Sequence, residues 1–183
     1  MPVTLAQAKA QLQIDNATTD WDDLMTGLIA AAVSHIDGWN GSLSRCLIEQ
    51  TWTQTYAEFD SELELPFPDV SAVVVQYYDA SDALQTMDAD SYSLVQTMIG
   101  SVIALSSAVS TPSVSAARAD PVIITMTVGY GAAEDVPAAI KQAILLMVGH
   151  WFANREAVNV GNIVSELPFG ATALLAPYRW VGV

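Results

Sequence analysis

One apolar stretch, residues 136–156 (VPAAIKQAILLMVGHWFANRE), most constrains what this chain can fold into. Asp135 stands at a predicted N-cap, and Pro137 falls in the first turn, where a missing N–H costs nothing. Ile144, Met147 and Trp151 lie on one stripe at helical spacing, and the stretch between residues 142 and 150 contains no polar side chain. A helix that is apolar nearly all round must be covered on most sides. We therefore predict a central core helix, and we expect Ile144, Met147 and Trp151 to contribute to an interface between subunits.

The same stretch is a poor candidate for a membrane span. As a helix, residues 137–155 would be about 28 Å long, but Lys141, His150 and Arg155 bracket the apolar part closely. A spanning helix needs a longer uninterrupted apolar run. We predict no membrane association.

Composition favours a folded chain with an acidic surface. Hydrophobic residues make up 52% of the 183 positions and charged residues 14%, which supplies ample material for a core and disfavours disorder. The formal charge is −14 and uneven: residues 1–100 hold 15 acidic and 2 basic side chains, and residues 101–183 hold 5 and 4. Such a surface repels phosphate backbones, so tight nucleic-acid binding is excluded. The single Cys46 rules out an intrachain disulfide and fits a reducing compartment, and we find no secretion signal.

Helical patterns occur at both ends of the chain. Residues 3–14 (VTLAQAKAQLQI) predict a short amphipathic helix with Thr4 as its N-cap. Asp20 is predicted to cap a second helix, which Trp-Asn-Gly at residues 39–41 ends. The predicted apolar stripe of this helix begins at Leu24 and runs to Ile36. Near the C-terminus, a further short helix is predicted around residues 171–175, and residues 157–166 are predicted to form a loop.

The middle of the chain alternates as strands do. In QTWTQTYAEF, Trp52 and Tyr56 fall on one side, and the threonines between them fall on the other. The predicted strands are residues 50–59, 63–66, 70–78, 92–95, 102–105 and 122–130. The Ser/Ala/Thr-rich residues 106–119 predict an exposed, mobile loop. The fold class is therefore α+β, with residues 1–48 and 131–183 as a helical core with a C-terminal tail and residues 49–130 as an inserted antiparallel β-rich region.

A search for chemistry finds no catalytic, metal or cofactor site. His35 and His150 each stand in a helix beside a tryptophan, and no second histidine or cysteine lies at metal-ligand spacing. Nucleophile elbows and phosphate-binding glycine loops are absent. The carboxylate pairs 62/64 and 88/90 are interpreted as a solvated surface, with an adventitious calcium site as the alternative. The strand aromatics are interpreted as ordinary sheet packing, with a sugar-binding platform as the alternative. We predict that the protein is not an enzyme.

Four ordered segments are similar to the head–tail connector (adaptor) proteins of long-tailed phages, prophages and phage-like gene transfer agents. They are VTLAQAKAQLQI at residues 3–14; SRCLIEQTW at 44–52 followed by LPFPDVSAVVVQYYD at 65–79; VPAAIKQAILLMVGHWFANRE at 136–156; and LPFGATALLAPYRW at 167–180. The Gly-Arg that usually precedes the QTW strand is Ser44-Arg45 here. The segments span nearly the whole chain, and the last is the most specific.

This resemblance implies a structural virion protein that forms a ring, commonly of twelve copies, under the portal vertex. The ring would join the portal to a stopper or tail-completion protein and surround the channel through which DNA passes without specific binding. The implied location is the neck of the particle, after assembly in the bacterial cytoplasm. The alternative function is a module whose β region binds a ligand or receptor without forming a ring.

The tail is the second predicted interface. Phe169, Leu174, Leu175, Tyr178 and Trp180 place much apolar surface in a segment whose only charge is Arg179. A free tail of this kind would be prone to aggregation, so it should be docked. It packs either on its own core or on the portal or an adjacent subunit, where Arg179 would pair with a carboxylate.

Overall fold

The predicted α+β fold with an inserted antiparallel β region is confirmed. The computed structural model describes residues 1–97, 100–154 and 169–181. Its helices are α1 (Leu5–Gln11), α2 (Asp22–Ile36), α3 (Ala138–Ala153) and α4 (Phe169–Leu175). Its strands are β1 (Gln50–Tyr56), β2 (Glu62–Glu64), β3 (Val70–Tyr78), β4 (Leu84–Thr86), β5 (Tyr92–Thr97), β6 (Gly100–Leu105) and β7 (Val122–Val128). Short 3₁₀ turns occur at Ala89–Ser91 and Ala176–Tyr178.

The helix starts were predicted correctly in one case and wrongly in two. Thr4 caps α1 through a capping box: its Oγ1 accepts from the Gln7 N–H at 3.2 Å, and its own N–H donates to Gln7 Oε1 at 2.8 Å. The N-cap of α2 is Trp21 rather than Asp20, and the N-cap of α3 is Pro137 rather than Asp135. Neither Trp21 nor Pro137 caps its helix with a side-chain hydrogen bond. The Asp135 carboxylate instead accepts from the Ala132 N–H at 2.9 Å and so closes the turn ahead of the helix.

The chain divides into two compact units, a helical unit of residues 1–48 and 131–180 and a β unit of residues 49–130. In the helical unit, α3 packs against α1, α2 and α4. Its buried residues are Ile140, Ala143, Ile144, Met147 and Val148, and those of α2 are Met25, Ile29, Ala32 and Ile36. The apolar helix of the sequence is thus covered on several sides by its own chain. No helix within the described ranges is long and apolar enough to cross a membrane.

The β unit contains two antiparallel sheets. One has the strand order β1-β7-β3-β4 and the other β2-β6-β5. Side chains of β7 alternate between buried and half-buried, with Ile124 and Met126 pointing into the core. Trp52 pairs with Met126 and Tyr56 with Val122, so both aromatic residues of β1 lie on one side of the strand, as the alternation predicted, and this side is shared with buried residues of β7, although Trp52 stays 37% exposed. Strand β4 was not predicted, because its three residues are all exposed and show no alternation of burial.

The end of the predicted mobile loop is fixed to the β unit. The Arg118 guanidinium bonds to both carboxylate oxygens of Asp82, at 2.7 and 3.2 Å, and lies 3.5 Å from the centre of the Tyr78 ring. Ser115 donates through its hydroxyl to Asp82 and through its N–H to the Tyr78 carbonyl. The pKa of the Asp82 carboxyl is lowered by these bonds, first by that from Arg118. The prediction of an exposed loop is therefore wrong for Ser115, which these bonds bury, because the prediction rested on composition alone.

Candidate interaction surfaces

The C-terminal segment packs on its own helical unit. Helix α4 buries Ala171 and Leu175, and the Trp180 N–H donates to the Leu43 carbonyl at 2.8 Å. Helices α3 and α4 are in direct contact. Of the two alternatives for the tail, the structure favours docking on its own core. Only the side chains that stay exposed after this docking are available to a partner.

The predicted interface residues fall into three groups. Ile144 and Met147 are fully buried inside the helical unit, and Leu175 is nearly so, because α3 is covered by neighbouring helices of the same chain. We therefore assign Ile144 and Met147 to the chain's own core and no longer to an interface. Four others are half-buried: Trp151, Leu174, Tyr178 and Trp180. Arg179 is exposed, and Phe169 is 87% exposed, an unusually large fraction for a phenylalanine.

A groove lies between the C-terminal end of α2 and the segment that follows α4. We call it the α2–α4 groove; its lining residues are His35, Ser42, Leu43, Thr172, Leu175, Ala176 and Arg179. Its volume is about 210 Å³, below the roughly 300–1,000 Å³ typical of small-molecule pockets. Its lining is largely aliphatic, and one guanidinium and one imidazole stand among the lining groups. These properties suit one or two apolar side chains beside a carboxylate.

The N-terminal end of α2 carries a second exposed apolar patch, which sequence reasoning missed. Trp21 is 37% and Leu24 38% exposed, and the carboxylates of Asp20 and Asp23 flank them. We call these four residues the acidic end of α2. The sequence placed Leu24 in the core stripe of the helix. In the structure, the buried residues of α2 begin at Met25, so Leu24 stays outside the core. The carboxylate of the preceding Asp22 pairs with the Lys9 ammonium at 2.5 Å.

One perturbed tyrosine joins the two sheets of the β unit. The Tyr56 hydroxyl donates to the Glu64 carbonyl, which links β1 to β2. Burial, and secondarily the Glu64 carboxylate, raise the pKa of Tyr56 to about 12. This is the behaviour of a structural tyrosine that stays protonated, since a phenol used for acid–base chemistry would need a pKa nearer neutrality.

Groups with metal-binding or catalytic potential lie apart. Within residues 1–97, 100–154 and 169–181, no three histidine, cysteine, aspartate or glutamate side chains are placed to hold a metal ion. Cys46 is buried. His150 lies next to Asn154, whose amide donates to the His150 carbonyl at 2.9 Å. These placements offer no starting point for a reaction mechanism in the described part of the chain.

Most of the negative charge belongs to the β unit. Residues 49–130 contain eleven acidic side chains and one basic side chain, a formal charge of −10 of the chain's −14. Glu58, Asp60, Glu62 and Glu64 follow one another at every second position, and all four are exposed. With Glu62 and Glu64 on β2, an edge strand of its sheet, the carboxylates also protect that edge from pairing with other strands.

Comparison with known proteins gives a family and a set of similar folds. Residues 116–179, about a third of the chain, match the model of the phage gp6-like head-tail connector protein family. This range contains α3 and α4. The resemblance to head–tail connector proteins, which the ordered sequence segments predicted, is confirmed. No curated protein matches the chain.

The solved structures most relevant here come from gene transfer agent (GTA) particles. A chain in the neck of an empty GTA particle, computed with C6 symmetry, is 22% identical with a TM-score of 0.74; the match covers 100% of this chain and 91% of that chain. A chain in the virion of a native GTA particle matches over the same shares at 22% identity and a TM-score of 0.76. A chain in the neck of a native particle computed with C12 symmetry has a TM-score of 0.65 at 22% identity, over 100% of this chain and 92% of that chain. The fold of this chain is therefore that of GTA neck chains over its whole length.

Proposed function

We propose that this protein is a structural component of a phage or gene transfer agent neck, where identical copies form a ring adaptor. The observation that carries the proposal is the full-length match of its fold to chains in GTA necks. The connector family match over α3 and α4 supports it independently, because it rests on sequence. Those two helices hold the centre of the helical unit and the C-terminal segment.

The proposed partners are the portal on one side and a stopper or tail-completion protein on the other. The exposed side chains of the C-terminal segment are Phe169, the candidate for these contacts, and Arg179, a candidate for contact with the portal or with an adjacent copy. Half-buried Trp151, Leu174, Tyr178 and Trp180 would add apolar area next to them. An exposed aromatic anchor beside an arginine is the composition that binding hot spots favour. The proposed location is thus the virion neck, after assembly in the host cytoplasm.

DNA is proposed to pass through the ring without being gripped. A ring of twelve copies would carry twelve times the −10 charge of the β unit. Carboxylates that face the path of a duplex repel its phosphates, and the repulsion is felt within about a Debye length, ~8–10 Å at physiological salt. We propose that some of the exposed carboxylates of the β unit line this path, and that the protein has no catalytic role.

Microscopy of particles tests the proposed function. Particles produced with and without a functional gene for this chain should differ in the neck: without it, full heads should accumulate that lack tails. Complementation with the parental gene should restore tailed particles, and a labelled copy should be seen only at the head–tail junction. Normal tailed particles in its absence, or a label at the tail tip, would overturn the proposal. A tip label would favour the alternative of a β region that binds a receptor.

A further inference from the structure

The contact between neighbouring copies has to overcome electrostatic repulsion. Each copy carries a formal charge of −14, so two copies repel each other unless their contact brings a cation against a carboxylate. Basic side chains are scarce, and several are used inside the chain. Lys9 is held by Asp22 at 2.5 Å, Arg118 by Asp82 at 2.7 Å, and the Lys141 ammonium donates to the Glu134 carbonyl at 2.9 Å.

Arg179 is in a different position. Its side chain is exposed at the α2–α4 groove, and among the residues that the structure describes it has no carboxylate partner. The groove beside it is lined by Leu43 and Leu175, which are 1% and 8% exposed, and by the more exposed Ala176. A guanidinium next to an apolar groove selects a ligand that combines an apolar side chain with an adjacent carboxylate.

The acidic end of α2 has this chemistry. Trp21 and Leu24 are more than a third exposed, and Asp20 and Asp23 are exposed beside them without an ion-pair partner in the described ranges. Leu24 lies one helical turn from the N-cap residue Trp21, and Asp20 directly precedes that N-cap, so apolar and charged groups stand together at this end of α2. Both surfaces belong to the helical unit, and they are separated by the length of α2, since Leu24 and His35 stand about 16 Å apart along the helix axis.

We infer that the acidic end of α2 in one copy occupies the α2–α4 groove of the next copy, with its carboxylates on Arg179. This inference rests on the ring proposed above and names the contact that would build it. Because the two surfaces are different parts of the same chain, the contact is heterologous. Contacts of that type generate a closed ring when the rotation between neighbours closes, whereas a self-complementary patch would stop at a dimer. One arginine per contact also makes assembly sensitive to salt.

Charge reversal tests the contact. Arg179→Glu places a carboxylate against Asp20 and Asp23, and the double change Asp20→Lys with Asp23→Lys places ammonium groups against Arg179. Either change alone should weaken each contact by about 10- to 100-fold. The oligomer measured by light scattering for the parental chain should then be lost. A one-to-one mixture of the two variants should reassemble, because each mixed contact again pairs opposite charges.

Controls separate this contact from general effects of charge. Arg179→Lys keeps the cation and should assemble like the parent. Glu58→Lys with Asp120→Lys makes the same change in net charge as the double change at Asp20 and Asp23, but at exposed positions of the β unit, and should leave assembly unchanged. Far-ultraviolet circular dichroism confirms that every variant is folded. If the parent oligomerises and Arg179→Glu does too, or if the mixture fails to recover, this contact is wrong while the ring remains. A parent that is monomeric even at millimolar concentration overturns the ring and the contact together.

Discussion

Replacing Ile144 with Ala should destabilise the helical unit more than any surface change in α3. The side chain is fully buried, on a helix that packs against α1, α2 and α4. The substitution removes three carbon atoms, worth about 2.4 kcal/mol at about 0.8 kcal/mol per buried methylene. The cavity left behind adds to this, because neighbouring helices relax only in part. The expected loss is about 2–5 kcal/mol of unfolding free energy.

Thermal and urea unfolding measure this loss. For a chain of this size, a loss of about 3 kcal/mol lowers the melting temperature by roughly 6–12 °C. The matched control is Gln142→Ala on the same helix, where the side chain is exposed and alanine is an equally good helix former, so the expected change is below about 0.5 kcal/mol. If Ile144→Ala and Met147→Ala both unfold at the parental temperature, α3 is not the centre of the unit, and the packing argument fails.

Four further predictions concern the β unit and the tail. Arg118→Ala should release the loop before β7, seen as faster proteolysis within residues 106–119, whereas Arg118→Lys should retain part of the protection. Hydrogen bonds from Gln85 to Asp79 and from Arg118 to Asp82 lower the pKa values of both carboxyl groups. Their contribution to stability is therefore present above the pKa of an unfolded carboxyl group and is lost as the pH falls below about 4. If Asp82→Asn leaves the curve of stability against pH unchanged, this prediction is wrong. With a pKa of about 12, Tyr56 should lose its proton at a higher pH than an ordinary tyrosine, and the stability that depends on its protonated form should be lost between pH 10 and 12. In a spectroscopic titration of the tyrosines, Tyr56→Phe should remove the ionisation step at the highest pH. Removal of residues 167–183 should lower the melting temperature, since it uncovers the surface that Ala171 and Leu175 occupy; a truncated chain of parental stability would show that the tail is an appendage.

The sequence predicted the regular elements well where one face of each is buried. The range of β3 was predicted to the residue, and the alternation of β1 correctly placed Trp52 and Tyr56 on one side, which is the side that Met126 and Val122 share. The short strand β4 escaped detection because no side chain in it is buried. Helix caps were less predictable, since an aspartate before a helix can bond to a preceding turn, as Asp135 does. The predicted loop at residues 157–166 lies outside the described residues.

The candidate site was harder to predict, because an interface between copies has no chemical motif. Exposed apolar residues at such a contact follow the same helical spacing as core residues. Whether a given apolar residue is exposed or buried depends on how the rest of the chain packs against its helix. Leu24 and Ile144 both belong to apolar stripes of the sequence, yet one is 38% exposed and the other fully buried. Single charged residues are equally hard to interpret from sequence. Arg179 lies at the edge of a groove and Arg118 pairs with Asp82, but no sequence pattern distinguishes the two arginines.

This distinction changes which observation supports assembly. The sequence suggested that neighbouring subunits cover α3, because this helix is apolar nearly all round. In the structure, α1, α2 and α4 of the same chain cover most of its surface, so its apolar character does not support a ring. Contact between copies is instead proposed at the two ends of α2: Trp21 and Leu24 stay exposed beside carboxylates at one end, and Arg179 stands beside a groove at the other. An acidic chain that exposes Trp21 and Leu24 gains nothing from that exposure as a monomer, since each adds apolar surface in contact with water. Their burial against a groove that carries one of the chain's few cations removes this apolar surface from water and offsets the repulsion between copies.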